Sequence, residues 1–256
     1  MSDALSIAAS GLKSEEYFID KIANDIANLN TPNYKASKLS FADVLYQNVD
    51  SNHSVQQSGI KIGLGTAIIK STKDFSQGPL KAGTNWNELA IDGEGFFQVL
   101  QTDGSLAYTR SSSFSIDSER YLCTADGLRL ADSIQIPEDS QSIVIQKNGD
   151  VEIMSSEDAE PQLVGTISLA RFMDPGRLDP SGAGLFHATA DSGDPIIDNP
   201  GNSGMGQVLQ KQIEASNVDM VTSLMQLTMA QRVYQLNAKT VQIADELEKM
   251  INELRD

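Results

Sequence analysis

The sequence predicts an α+β chain with long coiled-coil-like helices at the N- and C-termini, an extended neck, and a central all-β domain of sandwich or small-barrel type. Three observations carry this prediction. Near both ends, apolar residues recur at alternating steps of four and three, as in helices that pack along other helices. From about residue 86 the pattern changes to short alternating runs punctuated by Asp-Gly and Asn-Gly, the signature of strands and tight turns. Between the first helix and the strands lies a stretch rich in Ser, Gly and Gln with neither period.

At the N-terminus, residues 3–29 read as a helix, with Leu5, Ala8, Leu12, Ile19, Ile22, Ile26 and Leu29 on one seam and Glu15 interrupting it. Pro32 cannot continue the helix, and Asn33 tolerates the left-handed conformation that often ends one, so the first segment closes near residue 35. Residues 36–83 form the neck. SFADVLYQ retains some helix or turn potential, and β-prone pieces lie around 60–62 and 67–70.

The β domain spans residues 84–173, with turns expected at Asp92-Gly93 and Asp103-Gly104 and the clearest hairpin at Asn148-Gly149. Residues 174–212 hold many of the Gly and Pro residues and read as a loop-rich return. The last segment, 213–256, is one helix from Val218 onward, without Gly or Pro. Its seam is Met229, Val233, Leu236, Thr240, Ile243, Leu247, Met250 and Leu254, and Ser216 or Asn217 is the expected N-cap, with Asp219 placed well against the helix dipole. A helix of roughly forty residues is about 60 Å long, more than one compact domain covers. The simplest arrangement buries the two terminal seams against each other. Seams left unsatisfied within the chain would be completed by neighbouring copies, and head-to-tail contacts of that kind propagate as a helical tube.

Composition narrows the function. The net charge is −16, and residues 84–200 hold twenty acidic and six basic side chains. That balance argues against nucleic acid, whose phosphates require a basic footprint. No segment reaches the apolar length that crosses a bilayer, and MSDALSIAASGLKSEEYF does not read as a secretory signal. With two histidines, His53 and His187, the chain lacks the spacing of a zinc site, and its one cysteine, Cys123, reads as a buried strand residue rather than as the nucleophile of a pair with either histidine. No catalytic, metal or cofactor site and no small-molecule substrate is expected.

Several blocks are more specific. ASGL at 9–12 and ANDIANLNTPNYK at 23–35 contribute Asn28, Asn30, Thr31, Tyr34 and Lys35. LAIDGEGFFQV and AYTRSSSFSID contribute Ile91, Gly93, Gly95, Phe96, Phe97, Tyr108, Thr109, Arg110 and Phe114. EASNVDMV and QRVYQLNAK contribute Ser216, Asn217, Val218, Gln231, Arg232, Tyr234, Asn237 and Lys239. In this order the chain resembles the bacterial flagellar rod and hook proteins over residues 4–254, and the succession LYQ, GIKIGLG, FSQGPL is nearest the distal-rod branch. Asp25, Asn33, Ser112 or Ser113, Glu119-Arg120, Val233 and Gln235 depart from the family pattern.

The resemblance implies a structural subunit of the basal-body distal rod that self-associates into the helical shaft carrying torque from motor to hook. It further implies proximal-rod and hook-junction proteins and the surrounding rings as partners. Export would run through the flagellar type III apparatus without a cleaved signal, to a rod spanning the periplasm. The helices expected to join subunits carry Leu5, Leu12, Ile19, Ile22, Ile26, Val233, Leu236, Ile243, Leu247 and Met250. The alternatives are a proximal-rod or short hook-like subunit, or a secreted β-rich binding domain on a coiled-coil stalk.

Overall fold

A computed structural model of the chain describes residues 2–44, 46–48, 61–63, 65–155 and 160–254. It contains one helix at each end, α1 (Ser2–Ala27) and α2 (Met220–Glu253), with several small sheets between them. The chain divides into two compact units. A helical unit comprises Met1–Ala27, Ser37–Thr72 and Asp219–Asp256, and a β unit comprises Asn28–Ala36 and Lys73–Val218.

In the helical unit α1 packs against α2. The face α1 buries follows its predicted seam: Ala8 and Ile22 are buried, and Leu5, Leu12, Ile19 and Ile26 are half-buried. Helix α2 departs from expectation. Its inward face is Ser223, Leu227, Ala230, Asn237, Val241 and Ala244, a row dominated by small residues, whereas Val233, Leu236, Ile243, Leu247 and Met250 are exposed. The two seams therefore do not bury each other. Small side chains allow a closer approach than Leu or Met would: a Cβ on Gly11 of α1 would come 3.0 Å from the Asn237 amide.

The start of α2 also differs. Asp219, rather than Ser216 or Asn217, is the N-cap, its carboxylate accepting from the Thr222 N–H at 2.7 Å. Hydrogen bonds from the Thr222 side chain and backbone hold the Asp219 carboxyl below the usual Asp range.

The strand Ser37–Asp43 pairs with Thr66–Lys73, and Tyr46–Asn48 pairs with Lys61–Gly63. Of SFADVLYQ, the residues up to Asp43 and the Tyr46-Gln47 pair are therefore extended rather than helical. Exposure alternates from Ser37 to Ser40 and breaks at Phe41, which is exposed and meets Phe18 of α1 edge-to-face at 6.0 Å. The expected neck positions 49–60, His53 among them, lie outside the described residues.

The β unit is built on the strand Phe96–Leu100, which pairs with Leu106–Thr109, Arg129–Leu130 and Leu169–Arg171. Successive side chains on a strand face opposite ways, so Phe96 and Phe97 enter different cores. Phe97 joins Leu89, Ile91, Val99, Phe114 and Leu169 in the larger one, and Phe96 packs with Tyr108, Phe172 and Phe186 in the smaller. With both faces covered, the GFF block is apolar on consecutive positions. Cys123 is buried on the strand Leu122–Thr124.

Three local expectations change. Asp92-Gly93 does not close a hairpin, because Leu89–Asp92 pairs with Gln207–Gln210 rather than with the strand that follows. The 174–212 segment is not simply loop: Asp179–Gly182, Leu185–His187 and Ile196–Asp198 join the main sheet, and Phe186 fills the smaller core. His187 is consequently a strand residue. The sheets also do not close into a barrel among the described residues; the main sheet runs open from Asp179–Gly182 to Phe114–Ile116. The Asn148-Gly149 hairpin forms, joining Ser142–Ile145 to Asp150–Met154 with Gly149 at φ 90°.

Candidate functional site

Two features stand out, one in each unit. The first is a buried ion cluster in the β unit, where the three sequence blocks meet. Lys35 Nζ lies 2.6 Å from Glu214 Oε1, and Arg110 Nη1 lies 3.5 Å from Glu214 Oε2, with all three side chains almost completely buried. Two cations share one carboxylate, which leaves a surplus positive charge. Backbone carbonyls balance it. Lys35 Nζ donates to Ser76 O at 2.9 Å, Arg110 Nε to Gly95 O at 3.0 Å, and Arg110 Nη2 to Gly93 O at 2.9 Å.

Gly93 and Gly95 can aim those carbonyls inward because they stand at φ 119° and 138°, where a side chain would be strained. The two glycines and the arginine of the blocks thus form one device. Arg110 also lies over the Phe96 ring at 5.3 Å. Burial, then the nearby Arg110 charge, pull the Lys35 ammonium below its ordinary range, with Glu214 opposing both. Burial pulls Arg110 down as well, again opposed by Glu214.

Neutral groups complete the cluster. The Asn33 side-chain amide donates to Arg110 O at 2.7 Å and accepts from the Ser112 N–H at 2.9 Å, while the Asn33 backbone N–H donates to Glu214 O at 2.9 Å. Asn33 takes φ 60°, the left-handed conformation its sequence position implied. Asn217 accepts from the Ala36 N–H at 2.8 Å and donates to the carbonyls of Asp74 and Ser76 at 2.8 and 3.1 Å. Residues 33–36, which follow α1 in the chain, and 214–217, which precede α2, are therefore cross-tied within the β unit.

The remaining block residues serve local structure. Thr31 Oγ1 bonds Asn28 Oδ1 at 3.1 Å, closing the turn after α1, and Asn30 is exposed. The Tyr34 ring lies 4.7 Å beneath Lys73 Nζ. Tyr108 packs edge-to-face on Phe172 at 4.8 Å, and burial raises its phenol. Thr109 Oγ1 donates to Gly184 O at 2.9 Å, Ser216 Oγ accepts from the Val218 N–H at 3.3 Å, and Val218 is half-buried. At Glu119-Arg120, Arg120 itself takes φ 71° and donates to Ile136 O and Pro137 O at 3.0 and 2.6 Å. Asp25, buried in the helical unit, is paired with Lys21 at 2.8 Å.

The second feature is the outer face of α2. Val233, Leu236, Ile243, Leu247 and Met250 form a continuous apolar ridge, with Leu236 at 65% and Ile243 at 48% exposure. Gln231, Arg232 and Tyr234 are exposed on the same helix. Sequence reasoning located this ridge, gave it the N-terminal seam as its simplest partner, and expected neighbouring copies to complete whatever the chain leaves unsatisfied. It did not single out Glu214, although Glu214 opens the EASNVDMV block and is the single acid between Asp198 and Asp219. Among the described residues no group of three or more His, Cys, Asp or Glu side chains is arranged to hold a metal, and no helix is long and apolar enough to cross a membrane.

Comparison with known proteins bears on both features. Residues 90–153 match the model for the flagellar hook protein FlgE/F/G D1 domain, and residues 209–254 match the flagellar basal body rod FlgEFG protein C-terminal model. A Borreliella burgdorferi protein named flagellar basal-body rod protein FlgG is 35% identical over 263 residues, covering 100% of this chain and 99% of its own length. Proteins of the same name from Caulobacter vibrioides and Bacillus subtilis are 35% and 32% identical, each over 98% of this chain and 99% of their own. With one matched model spanning Arg110 and the central strands, another spanning α2, and relatives spanning the whole length, the chain belongs to the flagellar rod and hook protein family.

Proposed function

We propose that this chain is a structural subunit of the flagellar basal-body rod, of the distal-rod type, and not an enzyme. Copies polymerise into a helical tube that carries torque from motor to hook. In the assembly, residues 1–35 and 213–256 form the rod core as coiled-coil-like helices, 36–83 is the neck, and 84–173 with the return segment 174–212 is the outer β region. The subunits meet proximal-rod and hook-junction proteins at their ends and ring proteins around them. They reach the periplasm-spanning rod through the flagellar type III apparatus without a cleaved signal.

The observation that carries this reading is the apolar ridge on α2, exposed on a helix whose opposite face is already packed against α1. An exposed stripe of Leu, Ile, Val and Met at heptad spacing costs solubility unless another helix covers it. Relatives of matching length named as rod proteins support the same conclusion.

Ile243→Asp places a charge in the middle of the ridge. Rods should fail to form in cells carrying that variant, while the purified protein keeps its β-unit unfolding transition. Normal rod assembly with Ile243→Asp would overturn the mechanism.

A further inference from the structure

The helical unit holds a groove of about 670 Å³ lined by Ile7, Ala8, Gly11 and Glu15 of α1, Phe41 of the adjoining strand, and Thr240 of α2. Its wall is mostly apolar, and Glu15 is the one charged residue among those lining it. Glu15 is half-buried, and burial raises its carboxyl above the ordinary Glu range. Among the described residues it has no ion pair or hydrogen bond. A carboxylate held in an apolar groove without a cation is an incomplete arrangement.

The complementary shape and charge lie on the same unit. On the α2 surface Arg232, Leu236, Lys239 and Ile243 follow each other at steps of four, three and four, so each is the neighbour of the next. Leu236 and Ile243 are exposed apolar knobs, and Arg232 and Lys239 are exposed cations with no carboxylate partner among the described residues. The other described basic residue of α2, Lys249, is already paired with Asp245 at 2.8 Å.

We infer that this groove receives the α2 ridge of a second copy of this chain, with Glu15 of one copy paired to Lys239 and Arg232 of the next. The inference rests on the proposed polymerisation and adds the surface that accepts the ridge. Ridge and groove adjoin at Thr240 but present different residues to the contact, so when copies stack head to tail each added copy leaves one of each unfilled and the contact propagates. Glu15, which breaks the α1 seam, is then the residue that sets the register of the contact.

The test is a charge exchange in the full-length chain. Glu15→Lys alone, and Arg232→Glu with Lys239→Glu, should each lower rod assembly on the order of tenfold or more, since like charges then face each other. The three changes combined should restore it. Assembly at the parental level with Glu15→Lys, or no recovery in the combination, overturns the inference.

A second measurement guards against misfolded variants. Chains carrying only Glu15→Cys are mixed with chains carrying only Lys239→Cys and oxidised after assembly, with the parent chain as control for Cys123. A disulfide-linked dimer formed in the mixture and not in either population alone supports the contact, and its absence refutes it. Ile243→Asp separates the two levels. If that variant fails to assemble while the exchange has no effect, the ridge stands and the groove is wrong; if it assembles normally, the polymerisation mechanism itself is wrong.

Discussion

The β unit and the helical unit treat apolar surface in opposite ways. In the β unit Phe97 and Leu89 are fully buried, and even the charged Glu214 is only 1% exposed and has its hydrogen bonds met inside the unit. In the helical unit the largest side chains of α2 point outward, and it is Ser223 and Ala230 that are buried. One unit is finished by its own sequence, and the other leaves its strongest apolar stripe exposed. On the polymerisation proposed above, exposed Leu and Ile of that density are the cost of a surface that neighbouring copies cover, and the β unit supplies stability that does not depend on them.

The most direct way to break this comparison is a pair of truncations. Phe97→Ala removes a ring from the larger core and should cost about 3–5 kcal/mol in denaturant unfolding of the full chain. Leu236→Ala should change the same measurement by no more than about 0.5 kcal/mol, because an exposed side chain loses little on truncation. Rod assembly should reverse the ranking, with Leu236→Ala weakening it. If Leu236→Ala destabilised the isolated chain as much as Phe97→Ala, the ridge would be covered in the monomer and the contrast would fail.

The ion cluster sharpens the comparison at nearly the same scale. Glu214→Ala leaves Lys35 and Arg110 buried without the one carboxylate they both contact, and removing one partner of a buried pair costs about 3–5 kcal/mol. Replacing Lys35, Arg110 and Glu214 together with apolar residues of similar volume should recover most of that stability, since the desolvation of all three charges is relieved. Denaturant midpoints of the single and triple variants measure both. A triple variant no better than Glu214→Ala would mean that geometry at the chain crossing, rather than charge balance, holds the cluster.

How far the sequence disclosed these features follows from what each signal measures. Periodicity reported that α2 has an apolar seam, and Leu236 and Ile243 were found that way. It is silent on what covers a seam, because Ser223, Ala230 and Ala244, which the fold turns inward, are too small to stand out in a hydropathy pattern. Strand alternation and Asn148-Gly149 located the β unit, since both are local. Asp92-Gly93 misled because the strand before it takes its partner far along the chain, at Gln207–Gln210, and the strand after it pairs onward with Leu106–Thr109. Strands of three residues such as Leu185–His187 are too short to show a period, so they read as loop. The ion cluster was the least legible, as its central pair joins residues 179 positions apart. Lys35 and Arg110 were each visible within a block, and nothing local tied either to Glu214.

The smallest expected effect tests where the self-contained part of α2 begins. Asp219 caps the helix with a charged carboxylate, and Thr222 holds that carboxyl below its ordinary value of 3.8. A carboxyl with a depressed folded value stabilises the folded form fully above its unfolded value and loses that contribution as pH falls through the folded one. Amide exchange at residues 220–223 should therefore be flat from neutral pH to about 5 after correction for intrinsic rates, and quicken below about 4 as the cap protonates. Asp219→Asn keeps an accepting oxygen and removes the titration, so its exchange should be a little faster at neutral pH and lack the acid step. The ridge from Val233 onward is more than two turns away and should show no such step, because capping acts only within the first turn. An acid step that ran the length of α2 would mean the helix melts as one body from its cap, and the packing of Ser223 and Ala230 on α1 would then be too weak to hold the ridge in place for a neighbour.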